Sequence, residues 1–516
     1  MRRAELPAGP GHPSRVGGLA APLVGLVAAL VSVTGSWVPS AWVDEAATMS
    51  AANRTLPQLW HMVQNVDAVH GLYYAVMHLW FQVVPYSPFT LRLPSAVGVG
   101  LAAALTVLLT RRFAGTWAGI VAGLVFAVLP RVTFVGADGR SYAWTTATAV
   151  AATLVLCVAV ERTDRRAPLA WLWWVSYAAV TLLGAFLFLD TALSLVAHGL
   201  TVLVWAIRRW RRQGVAAALR LALSWLAAAV VSAVALLPFV RLTSGEAAKQ
   251  LYFLGRFALD RTNLEAIATK QWFGGTTALA VLFAVTAAVA VVSAVAVPRL
   301  RARLPLVELL LPIVVVPTVV VVVVSLLVRP LYIARYFTFG APAVAILIAL
   351  GLVCVRWKVV GVLGVALAVV LAFPRWQHQR EPGAKQGARW DEVAALVARE
   401  RAAEPAGTRD GVFHGPLPGH ANRTTEFIAT TYPDAFRGMR DLTVTRSAVS
   451  IGELWAERLP VDDPAVPTAG VDRVWWIGVE SRDQPRIPRV KLERRGWTVI
   501  ATHRAGGVLV LVMARS

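Results

Sequence analysis

VGGLAAPLVGLVAALVSVTGSWVPSAWVDE, residues 16–45, is apolar from Val16 to Val38 and ends on two carboxylates, Asp44 and Glu45. A helix needs about 17–25 mostly apolar residues to cross roughly 30 Å of hydrocarbon, so this run is long enough to span a bilayer. It delivers Asp44 and Glu45 to the water boundary on the far side. Carboxylates drawn toward hydrocarbon lose solvation, and acids kept at such a depth mark chemistry or ion binding.

Working outward, the same apolar pattern recurs along most of the 516 residues. Further runs lie at Leu93 to Thr110, Trp117 to Val135, Tyr142 to Val160, Leu169 to Leu189, Thr191 to Ile207, Val215 to Val240, Thr276 to Val297, Leu306 to Val328, Phe337 to Val355 and Val359 to Phe373. Together they predict about eleven crossings by length alone. With 57% hydrophobic and 15% charged residues and a mean hydropathy of +0.61, a soluble globular chain is excluded. The expected class is an α-helical polytopic membrane protein.

The net charge of +21 is not the footprint of a nucleic-acid binder, because of where it sits. Arginines cluster in every second connection: Arg2 and Arg3, Arg111 and Arg112, Arg165 and Arg166, Arg208 to Arg212, Arg299 to Arg303, and Arg356 with Lys358. Short cytoplasmic loops are rich in Lys and Arg, so the N-terminus is expected in the cytoplasm and the C-terminus outside. The first run is too long for a signal h-region and is expected to be retained. Cys157 and Cys354 both fall in apolar runs, so no disulfide framework is expected.

Two connections on the arginine-poor side are long, 39–92 and about 241–275. In the first, Leu56, Leu59, Trp60 and Val63, and then Leu72, Val76, Leu79 and Trp80, recur at helical spacing and predict two interfacial helices. Asp67, His70 and Tyr74 would share one face if this stretch is helical. Asp44 and Glu45, as neighbours, cannot share one. Taken alone, His70 is more simply an interfacial histidine, and Tyr73 and Tyr74 an aromatic belt.

In order, Asp44-Glu45 after the first helix, His70-Gly71-Leu72-Tyr73-Tyr74 in the loop, Leu91-Arg92-Leu93-Pro94-Ser95, Asp138-Gly139-Arg140-Ser141-Tyr142 and Arg335-Tyr336-Phe337 resemble the polytopic glycosyltransferases that use polyprenyl-phosphate sugars. This is the C-type glycosyltransferase fold. The branch is that of the family 39 protein O-mannosyltransferases and of the aminoarabinose transferase acting on lipid A. The chain departs from the pattern in having Gly71-Leu72 where relatives carry paired prolines, and Ser141 where proline follows the arginine.

The resemblance implies transfer of a sugar, of mannose type, from a polyprenyl-phosphate donor to a hydroxyl of a glycan, lipid or protein acceptor at the outer face of the bilayer. Elementary chemistry asks for the same parts: a base for the acceptor hydroxyl and cations for the departing phosphate. Asp44 is the expected base, with Glu45 orienting the acceptor or sharing the proton. Arg140 and Arg335 are the expected phosphate ligands, since a guanidinium fork matches phosphate oxygens and keeps its charge. Arg131, Arg241, Lys249 and Arg329 are the substitutes on the same side. Asp67, His70, Tyr73, Tyr74, Asp138, Tyr142 and Tyr336 complete the expected substrate site.

No metal motif is present, and no dedicated cofactor is expected. Asp44, Glu45, Asp67, Asp138 and His70 nevertheless carry donors suited to a divalent cation.

After Phe373 the composition turns polar. The division expected is a membrane domain over 1–373, a linker over 374–389 and a small α/β domain outside the membrane over 390–516. Trp390, Val393, Leu396 and Val397 predict an amphipathic helix, and Val474 to Val479 and Gly507 to Met513 predict strands. A structural cap or an acceptor-binding module is the expected role of this domain, as no phosphate loop or nucleophile elbow occurs in it. Competing classes are a lipid-linked glycan transporter or flippase, which would carry charges near the midplane, and a noncatalytic scaffold, which leaves the sided charges unexplained.

Overall fold

A computed structural model describes residues 15–250, 255–405, 407–418, 420–479 and 487–515. The chain divides into two compact units, one of residues 1–36, 69–73 and 89–378, the other of 37–68, 74–88 and 379–516.

The first unit is a helical bundle. Among the described residues nine helices are long and apolar enough to cross a membrane, and Gly18–Val33 is a shorter apolar one. The chain is a multi-pass membrane protein. The expected runs Leu93 to Thr110 and Trp117 to Val135 fall in one 41-residue helix, Pro88–Val128, which breaks at Gly115, where φ is 85°. That left-handed backbone is open to glycine at little cost.

The second of these runs stops at Val128 rather than Val135. Pro130 cannot donate to the turn before it, so a separate short helix, Pro130–Val135, begins there. Ala341–Leu352 is buried along its whole length and forms the post of the bundle. By contrast Leu219, Leu223, Leu226 and Val230 line the outside of Val215–Gln250 at helical spacing, as a lipid-facing stripe requires.

The arginine-bearing ends of this bundle are tied together by acids. Glu161 pairs with Arg112 and Arg165, Asp164 accepts from Arg209 Nε at 2.9 Å, and Glu308 Oε2 accepts from Arg208 Nη1 at 2.8 Å.

The second unit is built on a five-stranded sheet of β1 (Asp410–His414), β2 (Arg440–Asp441), β3 (Arg473–Gly478), β4 (Trp497–Ala505) and β5 (Val508–Arg515), in the order β2-β1-β3-β5-β4. β1 runs parallel to β2 and β3, while β5 is antiparallel to β3 and β4. Side chains alternate between faces along a strand, so the adjacent Trp475 and Trp476 head two different cores. Trp475, Ile477, Val510 and Val512 pack with Trp390, Val393 and Val397 of the Trp390–Ala402 helix. Trp476, Leu509, Leu511 and Met513 pack with Phe413, Leu442 and Trp497.

The β4–β5 hairpin turns on Gly506 and Gly507, both at positive φ, as a two-residue turn favours. A Cβ on Gly506 would lie 2.3 Å from the Arg389 carbonyl oxygen, so the helix start also excludes a side chain there.

The first core also contains Ala41, Val43 and Ala46 from the long first loop. Ser40 Oγ accepts from the backbone N–H groups of Trp390 (2.9 Å) and Asp391 (3.3 Å), which serves two of the unsatisfied donors at that helix start. Ala41 N–H donates to Tyr432 Oη at 3.0 Å, and Tyr86 Oη donates to the Thr431 carbonyl at 2.7 Å. The segment 37–68 is thus folded into the same unit as the C-terminal sheet.

Candidate active site

In the bundle, four of the expected site residues come together. His70 ends the short helix Ala68–His70, and its ring stacks on Phe188 with centroids 5.3 Å apart. It meets Tyr142 edge-on at 6.1 Å, and Ser141 Oγ lies 3.4 Å from its Nδ1. Tyr142 begins its helix and stacks with Tyr336 at 5.8 Å, while Phe188 meets Tyr336 at 4.7 Å. The Arg335 guanidinium lies 5.6 Å from the centre of the Tyr336 ring. Helix interruptions make this possible: Phe188 is the extended residue, φ −167°, between Ala170–Leu187 and the 3₁₀ turn Leu189–Ala192. Arg335 and Tyr336 lie in the Ala334–Gly340 turn, before the buried post begins.

A second guanidinium joins Arg335. Arg131, in the first turn after Pro130, donates from Nε to the Gln271 carbonyl (3.1 Å) and from Nη2 to that of Lys270 (2.6 Å). Gln271 is held in turn, accepting from Tyr332 Oη at 3.1 Å and donating to Thr318 Oγ1 at 2.9 Å. Burial, then the charge of Arg335, then that of Arg375 lower the Arg131 guanidinium to about 10, with Tyr332 and Tyr142 acting against them. It stays charged at neutral pH, and three cations, Arg131, Arg335 and Arg375, act on one region. Arg140 and Asp138 are both buried in this unit, and the Arg140 carbonyl accepts from Ser95 Oγ at 3.1 Å. Tyr73 is buried here as well.

Asp44, Glu45, Asp67 and Tyr74 belong to the second unit. Asp44 and Glu45 occupy the first turn of Val43–Ala52, whose N-cap, Trp42, offers no side-chain acceptor. Acids placed there complement the helix dipole, which explains locally why the helix starts at this point. The two then part company, as helix neighbours must. Glu45 is fully buried and its Oε1 accepts from Lys385 Nζ at 2.7 Å, whereas Asp44 is half-buried.

The shared helical face expected for Asp67, His70 and Tyr74 does not form. Asp67 stands at φ 58°, ahead of the helical turns, and accepts instead from Tyr74 Oη across the bend. A left-handed residue cannot continue a helix register.

Among the described residues no group of three or more His, Cys, Asp or Glu side chains is placed to hold a metal ion. The Lys249 side chain lies outside those described, and Arg329 donates to the Ser244 carbonyl at 3.2 Å.

Phe188, Arg375 and Lys385 were not expected. Asp190 interrupting an apolar stretch, and an arginine beyond the last run on the arginine-poor side, were the available signs of the first two.

No protein-family model matches the chain, and no curated protein does. Solved structures do. ArnT from Cupriavidus metallidurans in its apo state superposes with a TM-score of 0.58 at 13% identity over 97% of this chain and 98% of that one. The same protein bound to undecaprenyl phosphate gives 0.56 at 14% identity over the same shares. The Archaeoglobus fulgidus oligosaccharyltransferase, in complex with zinc and sulfate, gives 0.48 at 10% identity over 95% of this chain and 72% of that one. Likeness of shape over nearly the whole of both ArnT chains carries the architecture, and the chain has the C-type glycosyltransferase fold.

Proposed function

We propose that the protein is a membrane glycosyltransferase that moves a sugar, of mannose type, from a polyprenyl-phosphate donor to an acceptor hydroxyl on the extracytoplasmic side. The observation that carries this reading is the Arg335 guanidinium 5.6 Å from the Tyr336 ring, in the cluster that Tyr336 forms with Tyr142 and Phe188, with Arg131 and Arg375 adding charge to the same region. Guanidinium groups suit a phosphate, and aromatic faces suit the apolar faces of a sugar ring or a prenyl unit. An ArnT structure of the same fold holds undecaprenyl phosphate, which supports a donor of that class. Arginine-bearing helix ends tied together by Glu161, Asp164 and Glu308 support a cytoplasmic N-terminus and an extracytoplasmic C-terminal domain.

In this mechanism Asp44 takes the acceptor proton as the hydroxyl attacks the anomeric carbon. Arg335 and Arg140, with Arg131, stabilise the charge that develops on the departing phosphate, and the configuration inverts. His70, Tyr142 and Tyr336 shape the sugar site, and Asp67, Tyr73, Tyr74 and Asp138 support it.

The test is sugar transfer by the purified protein from a panel of synthetic polyprenyl-phosphate sugars, with Asp44→Asn in parallel. Loss of a general base costs about 10²- to 10⁴-fold in turnover, with the fold and lipid binding retained. Asp44→Asn with near-parent turnover removes Asp44 from the role. A parent inactive with every donor removes the function.

A further inference from the structure

We propose that Lys385 is a positioning residue for Asp44: buried against Glu45, its ammonium fixes the roll of the Val43–Ala52 helix and so the direction in which Asp44 points. The proposal rests on the role of Asp44 given above, and it reassigns Glu45 from chemistry to anchorage.

Glu45 is 0% exposed and Lys385 only 4%, and their 2.7 Å contact is a charge-assisted hydrogen bond between two desolvated groups. The Lys385 ammonium also lies 5.8 Å from the centre of the Trp42 ring, the residue at the helix N-cap. One cation thus touches the helix at its cap and in its first turn. Successive helical side chains project about 100° apart, so pinning Glu45 inward turns the neighbouring Asp44 to a different side. Asp44 is indeed the half-buried member of the pair.

The rest of the packing repeats the arrangement. Val43 and Ala46 lie in the core of the C-terminal sheet, Ser40 caps the Trp390–Ala402 helix, and Ser50 Oγ donates to the Leu454 carbonyl at 2.6 Å. Arg380, five residues before Lys385, is buried too, so this segment is packed chain and not a free tether. The sheet unit is therefore the mount of the Asp44 helix.

Replacing a buried ion pair by neutral groups of similar volume is often harmless to stability, while removing one partner strands a buried charge. That asymmetry separates positioning from mere support. The variants are Lys385→Met, Lys385→Arg, Glu45→Gln and the double variant Glu45→Gln/Lys385→Met. The readouts are kcat and KM for the donor, binding of undecaprenyl phosphate, thermal unfolding, and amide exchange over Val43–Ala52.

Lys385→Met is expected to lose about 10- to 100-fold in kcat, the cost of a small misplacement, with KM and lipid binding within about threefold. Exchange over Val43–Ala52 should rise, and Lys385→Arg should recover part of kcat. The double variant should regain the parent unfolding temperature yet keep the low kcat. A double variant with parent kcat overturns the proposal, because the pair would then serve stability alone. Parent exchange over Val43–Ala52 in both Lys385→Met and the double variant overturns it as well. That arm needs no turnover, so it decides the matter even if no donor is accepted.

Discussion

Phe188→Leu removes the ring shared by His70, Tyr142 and Tyr336 and leaves most of the apolar volume. Three ring contacts are lost, at centroid distances of 5.3, 5.3 and 4.7 Å. Aromatic pairs contribute about 0.5–1.5 kcal/mol each beyond the area they bury, and clustered pairs add incompletely, so the net loss is about 2 kcal/mol. Leucine retains the transfer term, and the substitution therefore avoids the larger cavity cost of alanine. About 2 kcal/mol makes local opening roughly 30-fold more frequent. Amide exchange in peptides covering 137–146 and 334–340, the segments that carry Tyr142 and Tyr336, should accelerate by that factor. Exchange at β3 and β5, which belong to the other unit, should not change. If Phe188 orders the sugar site, donor KM rises in the same variant while the binding of undecaprenyl phosphate is kept. Unchanged exchange in both segments would refute the ring cluster as a coupled unit.

The arginines separate by chemistry. Arg335→Lys and Arg140→Lys keep a charge but lose the planar fork, so transfer should fall clearly, and the alanine variants should fall further; lysine variants equal to the parent at both sites would reduce these arginines to headgroup anchors. In the sheet unit, burial holds the His414 imidazole down to about 4, with Asp441 opposing and Arg458 reinforcing that shift, and its Nδ1 lies 3.1 Å from Thr425 Oγ1. The folded form keeps His414 neutral while the unfolded chain takes up a proton near 6.5. The contribution is therefore complete above about pH 6.5 and lost as pH falls toward 4, by about 3 kcal/mol in full. Unfolding followed over that range should show the loss, and His414→Gln should flatten it.

The bundle was legible in the sequence because a membrane crossing is written as a run of some 20 apolar residues with charges at its ends. The breaks were less so. Pro130 ended a run that hydropathy alone carried to Val135, since its ring denies a backbone donor without changing polarity. The shared face considered for Asp67, His70 and Tyr74 fails because helical spacing is blind to a single left-handed residue, here Asp67. Arg335, Tyr336, Tyr142 and His70 stand out in the sequence through the order of their motifs, and the folded bundle brings them together. Phe188 carried no such mark, for a phenylalanine in an apolar stretch looks like any other. Lys385 was hidden by distance: it meets Glu45 across 340 residues, and only the folded chain pairs two positions that far apart.

The polar groups inside the bundle bear on the choice between moving a sugar and moving an ion. His198 is fully buried, its Nδ1 3.0 Å from Tyr177 Oη and its Nε2 3.1 Å from Thr153 Oγ1. Both partners are hydroxyls on neighbouring helices, so the ring ties three helices together. Among the described residues no acid is hydrogen-bonded to it. The part-buried carboxylate of Glu308 lies one turn into its helix and is held by Arg208 and Trp205 Nε1 (3.2 Å), while the Thr201 hydroxyl donates to its carbonyl (3.3 Å). That cluster belongs with the tied arginine-bearing ends. A proton or ion path needs titratable groups spaced along the bundle so that each can pass its charge to the next. Among the described residues the charges gather instead at helix ends and breaks, with Arg131 in the short helix after Pro130 and Arg335 in the turn before the buried post. Cations gathered at such breaks suit a phosphate held during a displacement, which is the reading proposed above.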